Sequence, residues 1–118
     1  MKIWRSFAHA LRGWGAAWRS EMHLRFHMAV MLLVIIAGYW FRIRTYEWLA
    51  ITVCFVLVIS LELINTAIET LTNMVSPEMH PLAGKTKDIA AAAVLIAATG
   101  AIIVGLIIFV PYVMSVFH

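Results

Sequence analysis

Residues 48–73 read WLAITVCFVLVISLELINTAIETLTN, an apolar half that runs into a polar half without a proline or glycine. The apolar half, Trp48 to Leu61, predicts a helix inside a bilayer. No breaker separates the two halves, so the polar half continues the same helix until Ser76-Pro77 ends it. The stretch therefore predicts one membrane helix over about residues 47–73.

Polar residues of the second half recur at spacings of three and four: Glu62, Asn65, Thr66, Glu69 and Asn73. At 100° per residue they form one stripe along the helix. A carboxylate within the hydrocarbon costs about 2.5–3.5 kcal/mol on insertion scales, so this stripe indicates a function. Mg²⁺ prefers one or two carboxylates together with substrate phosphates, and a further carboxylate could take a proton from a hydroxyl nucleophile. The alternative is that these groups pair with basic residues of a neighbouring helix.

The rest of the chain also predicts a single all-helical membrane domain over residues 1–118. Hydrophobic residues make up 64% and charged residues 13% of the sequence, which is more apolar than a soluble domain. Further spans are predicted at about residues 24–42 and 88–112, the latter with a face of small residues at Ala93, Ala97, Ala101 and Gly105. Residues 1–20 predict a helix with tryptophan on one face and arginine on the other, which is typical of a helix lying on the membrane surface.

The distribution of charge predicts the orientation of the chain. Five basic residues precede the first apolar run, which begins at Met28: Lys2, Arg5, Arg12, Arg19 and Arg25. The N-terminus is therefore expected in the cytoplasm, on the same side as a polar loop predicted from Glu78 to Asp88. Five of the six acidic residues then lie at or near this side: Glu21, Glu62, Glu69, Glu78 and Asp88. So apolar a chain is not expected to bind nucleic acid.

Basic residues beside the stripe leave two interpretations. His80, Lys85 and Lys87 in the predicted loop could bind phosphates, or they could belong to a solvated loop. Gly84-Lys85-Thr86 is not a P-loop, because Met79 stands where the upstream glycine would be. His23 and His27 have the spacing of metal ligands on a helix, and the alternative is that they are interfacial polar residues.

The sequence from Glu62 to Glu69, with the pattern E-x-x-N-[ST]-A-x-E, resembles the bacterial diacylglycerol kinase family. The later Ala83-Gly84-Lys85-Thr86-Lys87-Asp88, which leads into an alanine-rich span, strengthens the resemblance. Asn73 departs from the family pattern, which usually ends in aspartate. His27, the segment His80-Pro81-Leu82-Ala83 and Ala91 are more similar to the undecaprenol kinase branch than to the diacylglycerol kinase branch.

The resemblance implies a homotrimer in the bacterial inner membrane that uses MgATP to phosphorylate a lipid alcohol at a cytoplasmic site. It implies that Glu62 is the general base and that Glu21 and Glu69 hold Mg²⁺. Phosphates would be supported by Asn65 and Lys87, with Asp88 ordering the site, and the nucleotide would lie near Glu78, His80 and His9. Undecaprenol is the expected substrate and diacylglycerol the alternative. A carboxylate-lined transporter and a non-catalytic assembly subunit are the alternatives outside the family.

Overall fold

A computed structural model describes residues 2–118, and these residues form four helices and no strand. The helices are α1 (Lys2–Ser20), α2 (Met22–Phe41), α3 (Thr45–Val75) and α4 (Pro81–Val116). The last three are long and apolar enough to cross a membrane. The predicted all-α membrane architecture, with an N-terminal helix before three spans, is confirmed.

Two of the helices are longer than a bilayer requires. α3 has 31 residues and α4 has 36, which correspond to about 46 and 54 Å at 1.5 Å per residue. The hydrocarbon core is only about 30 Å thick. Both helices therefore extend past the hydrocarbon, and the end of α3 and the start of α4 meet outside it.

The predicted polar loop from Glu78 to Asp88 is wrong over most of its length, because α4 begins at Pro81. His80 is the N-cap, and its Nδ1 accepts a hydrogen bond from the backbone N–H of Leu82 at 3.1 Å. A proline in the first helical position suits this start because it lacks the N–H that would be unsatisfied there. Lys85 and Lys87 consequently lie on the first turns of a helix.

The apolar core lies at the end of the bundle that carries the connection between α2 and α3. Ile43, Ile51 and Ile108 are buried together there. α4 packs mainly along α3, and α2 packs against α3 less extensively. A Cβ atom on Gly38 would lie 2.5 Å from the Trp48 ring, so glycine is needed where α2 approaches α3.

A polar contact closes this same end. The Tyr112 hydroxyl near the end of α4 donates to Oε1 of Glu47 at 2.5 Å, and the Arg44 backbone N–H donates to the same atom at 2.9 Å. Glu47 is 9% exposed. Because the start of α3 meets the end of α4, the two helices run antiparallel, and the opposite end of the bundle carries the predicted site.

α1 has an apolar face that the rest of the chain does not cover. Among its described residues only Ala17 is buried, whereas large side chains such as Trp4, Phe7 and Leu11 are exposed. α1 contacts α2 and α3 near the carboxylate end of the bundle. The exposed tryptophan and arginine faces of α1 suit the headgroup region of a bilayer.

Candidate functional site

Glu62 is the most buried carboxylate that the structure describes, with 3% of its surface exposed. It lies on α3, 17 positions after Thr45, which corresponds to about 26 Å along the helix. That distance is close to the thickness of a hydrocarbon core, about 30 Å. Nε2 of His27, on α2, lies 3.7 Å from Oε2 of Glu62.

Asn65 and Glu69 continue the stripe away from the apolar half of α3. Nδ2 of Asn65 donates a hydrogen bond to Oε1 of Glu69 at 3.2 Å. Asn65 is 9% exposed, and its Oδ1 is buried without a hydrogen-bond partner among the residues the structure describes. A buried carbonyl oxygen without a donor is costly. Oδ1 is therefore suited to a cation or to a donor group that arrives with a substrate.

Glu21 joins the stripe from the corner between α1 and α2. It occupies the N-cap position of α2, but its side chain makes no capping hydrogen bond, so the carboxylate is free for another partner. Burial raises the pKa of Glu21, and the negative charges of Glu69 and Glu62 raise it further, while His23 lowers it. Glu21 is therefore close enough to Glu69 and Glu62 to be repelled by both, and a cation beside Glu21 would relieve that repulsion.

The oxygen atoms around Glu21, Asn65 and Glu69 fit Mg²⁺ better than a softer metal. Two carboxylates and an amide oxygen are hard ligands, and Mg²⁺ usually takes its remaining ligands from water and phosphate. Within residues 2–118, no group of three or more histidine, cysteine, aspartate or glutamate side chains is arranged to hold a metal by itself. Water and substrate phosphates would supply the remaining ligands of a cation held beside these residues.

A groove of about 510 Å³ opens between the end of α3 and the start of α4. Predicted site residues are prominent in its wall: Glu78, His80 and Lys87, together with Asn73 at the end of the stripe. Lys87 is half-buried there. Nδ1 of His80 already accepts from Leu82, so a neutral His80 ring carries its proton on Nε2 and can donate to a ligand.

A second groove of about 500 Å³ lies on the other side of the same connection. The two grooves share Ser76, His80 and Ala83. The second is lined mainly by apolar side chains, among them Leu71, Val75 and Leu82. An apolar groove beside a basic one suits a ligand with a flat ring at one end and charge at the other.

The remaining predicted residues lie farther out. His9 is exposed on α1, where its Nδ1 lies 3.0 Å from a guanidinium nitrogen of Arg12, and it lines neither groove. Asp88 and Lys85 are exposed on the first turns of α4 and line neither groove. The structure brings together Glu21, Glu62, Asn65 and Glu69, and separately Glu78, His80 and Lys87.

The stripe on α3 joins these two groups. From Glu62 to Asn73 the helix rises about 16 Å, with Glu69 one turn before Asn73. A triphosphate that enters at the groove beside Lys87 could therefore extend along the stripe toward Glu62. The arrangement offers lysine for phosphate, oxygen ligands for a cation and a buried carboxylate at the lipid boundary, which are the groups that phosphoryl transfer requires.

Sequence reasoning missed two residues that the structure places in polar contacts. His27 is predicted as a metal ligand or an interfacial residue and as a mark of the undecaprenol kinase branch, but not as a partner of Glu62, which it faces. Glu47 was treated as part of a polar connection, yet it is buried and binds Tyr112. Glutamate in the first turn of a helix was the available signal for Glu47.

Comparison with known proteins identifies close relatives over most of the chain. A family model described as prokaryotic diacylglycerol kinase matches residues 8–109. An undecaprenol kinase of Bacillus subtilis (strain 168) is 39% identical over 110 residues, which cover 93% of this chain and 89% of that protein. A diacylglycerol kinase of Escherichia coli (strain K12) is 30% identical over 102 residues, covering 86% of this chain and 84% of that protein. A diacylglycerol kinase of Synechocystis sp. is 36% identical over 113 residues, covering 93% of this chain and 63% of that protein.

Proposed function

The chain belongs to the prokaryotic diacylglycerol kinase family and is a membrane lipid kinase, and we propose that it transfers the γ-phosphate of ATP to undecaprenol. Membership in a kinase family excludes the alternatives of a transporter and a non-catalytic subunit, and it implies ATP as the phosphate donor. Diacylglycerol is the second candidate substrate, because relatives of that name match the chain as well.

The choice of undecaprenol is supported by the greater identity to the undecaprenol kinase, 39%, against 36% and 30% for the diacylglycerol kinases of Synechocystis sp. and Escherichia coli. Ala91 adds a chemical argument. It is exposed on α4 one turn after Lys87, and its side chain cannot hydrogen-bond to an ester carbonyl. Undecaprenol has no ester groups, so an apolar side chain at this position does not weaken its binding. A site for diacylglycerol would gain from a hydrogen-bonding residue there.

The observation that carries the proposal is the buried carboxylate of Glu62, which we propose lies at the inner boundary of the hydrocarbon. A lipid alcohol anchored in the bilayer presents its hydroxyl at that depth. In our proposal Glu62 is the general base, which takes the hydroxyl proton as the lipid oxygen attacks the γ-phosphorus. The surrounding protein and α1 exclude water, which limits hydrolysis of ATP.

The other residues of the stripe have supporting roles in this proposal. Glu21 and Glu69 hold Mg²⁺, which supplies charge neutralisation for the phosphates. Asn65 orients Glu69 through its Nδ2, and its free Oδ1 fits the cation better than a phosphate oxygen, because two acceptors do not bond to each other. Its second N–H can still support a phosphate.

The nucleotide is proposed to bind in the grooves between α3 and α4. Lys87 binds the phosphates, and Asp88, beside it, orders this turn of α4. Glu78 and His80 contact the nucleoside, for which the free Nε2–H of His80 is a suitable donor. His9 is proposed to approach the nucleotide from the surface helix.

The site is proposed to face the cytoplasm. Seven of the nine lysine and arginine residues lie at the carboxylate end of the bundle, namely Lys2, Arg5, Arg12, Arg19, Arg25, Lys85 and Lys87. Only Arg42 and Arg44 lie at the other end. An excess of basic residues on short flanks predicts the cytoplasmic side, here of a bacterial inner membrane.

A homotrimer is proposed as the working assembly. Large apolar side chains of α3 and α4 are exposed, and they can contact lipid or neighbouring subunits. Ala97 and Ala101 are half-buried, so part of each remains available to a second helix. Small side chains allow close helix approach in lipid, where no hydrophobic force drives association.

The experiment that tests the proposed substrate is an assay of both lipids in mixed micelles at matched surface concentration. We expect a higher kcat/KM for undecaprenol than for diacylglycerol, and we expect Ala91→Ser to narrow the difference. Ala92→Ser, on the neighbouring exposed residue, is the control that should leave the ratio unchanged. A parent enzyme that prefers diacylglycerol would contradict the substrate assignment and leave the lipid kinase assignment intact.

A further inference from the structure

His27 is the residue whose side chain contacts the carboxylate of Glu62, the proposed base. Its Nε2 lies 3.7 Å from Oε2 of Glu62, and the two side chains are 22% and 5% exposed. In the part of the chain that the structure describes, this is the only pair of an acidic and a basic or histidine side chain within 4 Å. It also links α2 to α3, which are separate helices. The contact is therefore specific to the tertiary packing at this point.

We propose that His27 is a positioning residue that fixes the carboxylate of Glu62 for its work as the base. The Nε2–H of His27 donates to Oε2 of Glu62, which leaves Oε1 for the lipid hydroxyl. The proposal deepens the proposed function and rests on the assignment of Glu62 as the base.

A buried glutamate needs such a partner because its carboxylate torsion is broad and roughly two-fold. The structure gives the Glu62 carboxylate no other side-chain partner among residues 2–118. A donor at one oxygen selects a single orientation, and the other oxygen then points at a fixed position. The observed 3.7 Å exceeds a hydrogen bond of about 2.7–3.2 Å, but catalytic contacts are often long before substrate binds.

The neighbouring charges favour a donor at this position. Glu21, at the start of α2, lies close enough to Glu62 and Glu69 on α3 for both charges to act on it. Without a hydrogen-bond donor of its own, the Glu62 carboxylate would turn toward the Mg²⁺ proposed to bind at Glu21 and Glu69. His27 supplies the donor on the side of the lipid. His23, one turn earlier on α2, is exposed.

The proton balance of the reaction is simple in this account. The lipid oxygen forms a bond to the γ-phosphorus, and the bond between that phosphorus and the bridging oxygen of ADP breaks. The hydroxyl proton passes to Oε1 of Glu62. His27 keeps its proton on Nε2 throughout, so it neither donates nor accepts a proton in the transfer.

The test compares kcat and KM for His27→Leu, His27→Gln and His27→Asn, using whichever lipid the parent phosphorylates faster. We expect His27→Leu to lower kcat about tenfold or more, as expected when a reacting group is misplaced by about 1 Å. The KM values for lipid and MgATP should stay within about twofold. Glutamine carries an N–H at about the reach of histidine Nε2 and should restore most of kcat, whereas the shorter asparagine should not. His118→Leu, at the exposed end of the chain beyond α4 and far from the stripe, is the control and should keep the parent kcat.

A double variant separates positioning from an independent role. Because His27 acts through Glu62, adding His27→Leu to Glu62→Gln should cause no further loss of kcat. A further tenfold loss in the double variant, or a change in lipid KM instead of kcat, would overturn the proposal. If the parent enzyme prefers diacylglycerol, only the proposed substrate is contradicted. The His27 variants are then compared with the parent using diacylglycerol. Parent-like turnover of Glu62→Gln would remove the base and the positioning role together. If His27→Leu fails to fold, the kcat values of His27→Gln and His27→Asn test the proposal: equal values would overturn it.

Discussion

Nδ2 of Asn65 donates a hydrogen bond to Oε1 of Glu69, one turn further along α3, at 3.2 Å. The bond fixes which atom of the amide faces the site, because it leaves Oδ1 as the buried atom without a partner. A carboxylate held by an amide that itself presents an oxygen to the same space is typical of the surroundings of a metal ligand. This pair connects the fold of α3 to the proposed chemistry.

We expect Asn65→Ala to raise the Mg²⁺ concentration needed for half-maximal activity and to lower activity about 10- to 100-fold, the usual effect of losing such a supporting contact. Thr70→Ala is the control, because its exposed hydroxyl only bonds the Thr66 carbonyl on the same helix. Titration of activity with Mg²⁺ in detergent measures both variants. An unchanged Mg²⁺ dependence in Asn65→Ala would separate Asn65 from the cation.

Glu21→Gln should make the folded protein more stable and the enzyme less active. The pKa of Glu21 is raised in the fold by burial and by Glu69 and Glu62, so ionisation is harder there than in the unfolded chain. The resulting destabilisation is absent below the ordinary glutamate pKa, about 4.3. It grows as the pH rises through the folded pKa, because the unfolded state loses its proton first.

The measurement for Glu21 is the Tm of parent and Glu21→Gln, each with EDTA and with Mg²⁺. At neutral pH in EDTA we expect a higher Tm for the variant, with the difference shrinking toward pH 4. Mg²⁺ should raise the Tm of the parent more than that of the variant. Equal responses to Mg²⁺ would contradict the proposed role of Glu21 as a ligand.

Tyr112→Phe should destabilise the protein without slowing the chemistry. It removes a hydroxyl that donates to the buried carboxylate of Glu47 at the end of the bundle opposite the site. Loss of this donor should lower the free energy of unfolding, although the Arg44 backbone N–H still donates to the same oxygen. Tyr46→Phe is the control, since its exposed hydroxyl accepts only a 3.4 Å bond from Arg44.

Thermal unfolding in detergent and kcat at a temperature where all variants are folded check this prediction. A kcat of Tyr112→Phe well below that of the parent would show that the two ends of the bundle are coupled.

Ala101→Leu should weaken the proposed trimer. The residue is half-buried on α4, and a larger side chain would hold a neighbouring helix away. Ile102→Leu, at the adjacent exposed position, conserves volume and is the control. Chemical crosslinking and light scattering in detergent report the subunit number. An unchanged subunit number and Tm in Ala101→Leu would place the interface on another face.

The main features of the fold could be predicted because they depend on local pattern. The apolar run from Trp48 to Leu61 and the stripe that starts at Glu62 define α3 without any knowledge of its neighbours. The start of α4 was predicted seven residues too late. Pro81 in the first helical position was the available signal for the earlier start, but His80 before it is not one of the residues that usually cap a helix.

Contacts between helices could not be predicted in the same way. His27 meets Glu62 only because α2 packs on α3 in a particular register, and Tyr112 lies 65 positions after Glu47. The spacing of residues along one helix carries no information about either pair. The stripe therefore predicted which residues share a face, but not which partners they meet.

The most direct test compares two buried glutamates of α3, Glu47 in its first turn and Glu62 near its middle. Glu62 and Glu47 are 3% and 9% exposed, and each loses its charge but keeps its shape on replacement by glutamine. With lipid alcohol and MgATP, we expect Glu62→Gln to lose at least about 100-fold in kcat, the usual contribution of a general base. Its nucleotide binding should stay close to that of the parent, and Glu47→Gln should lower the Tm but keep the kcat of the folded enzyme. A folded Glu62→Gln protein with near-normal kcat would contradict the central claim that this carboxylate activates the lipid hydroxyl.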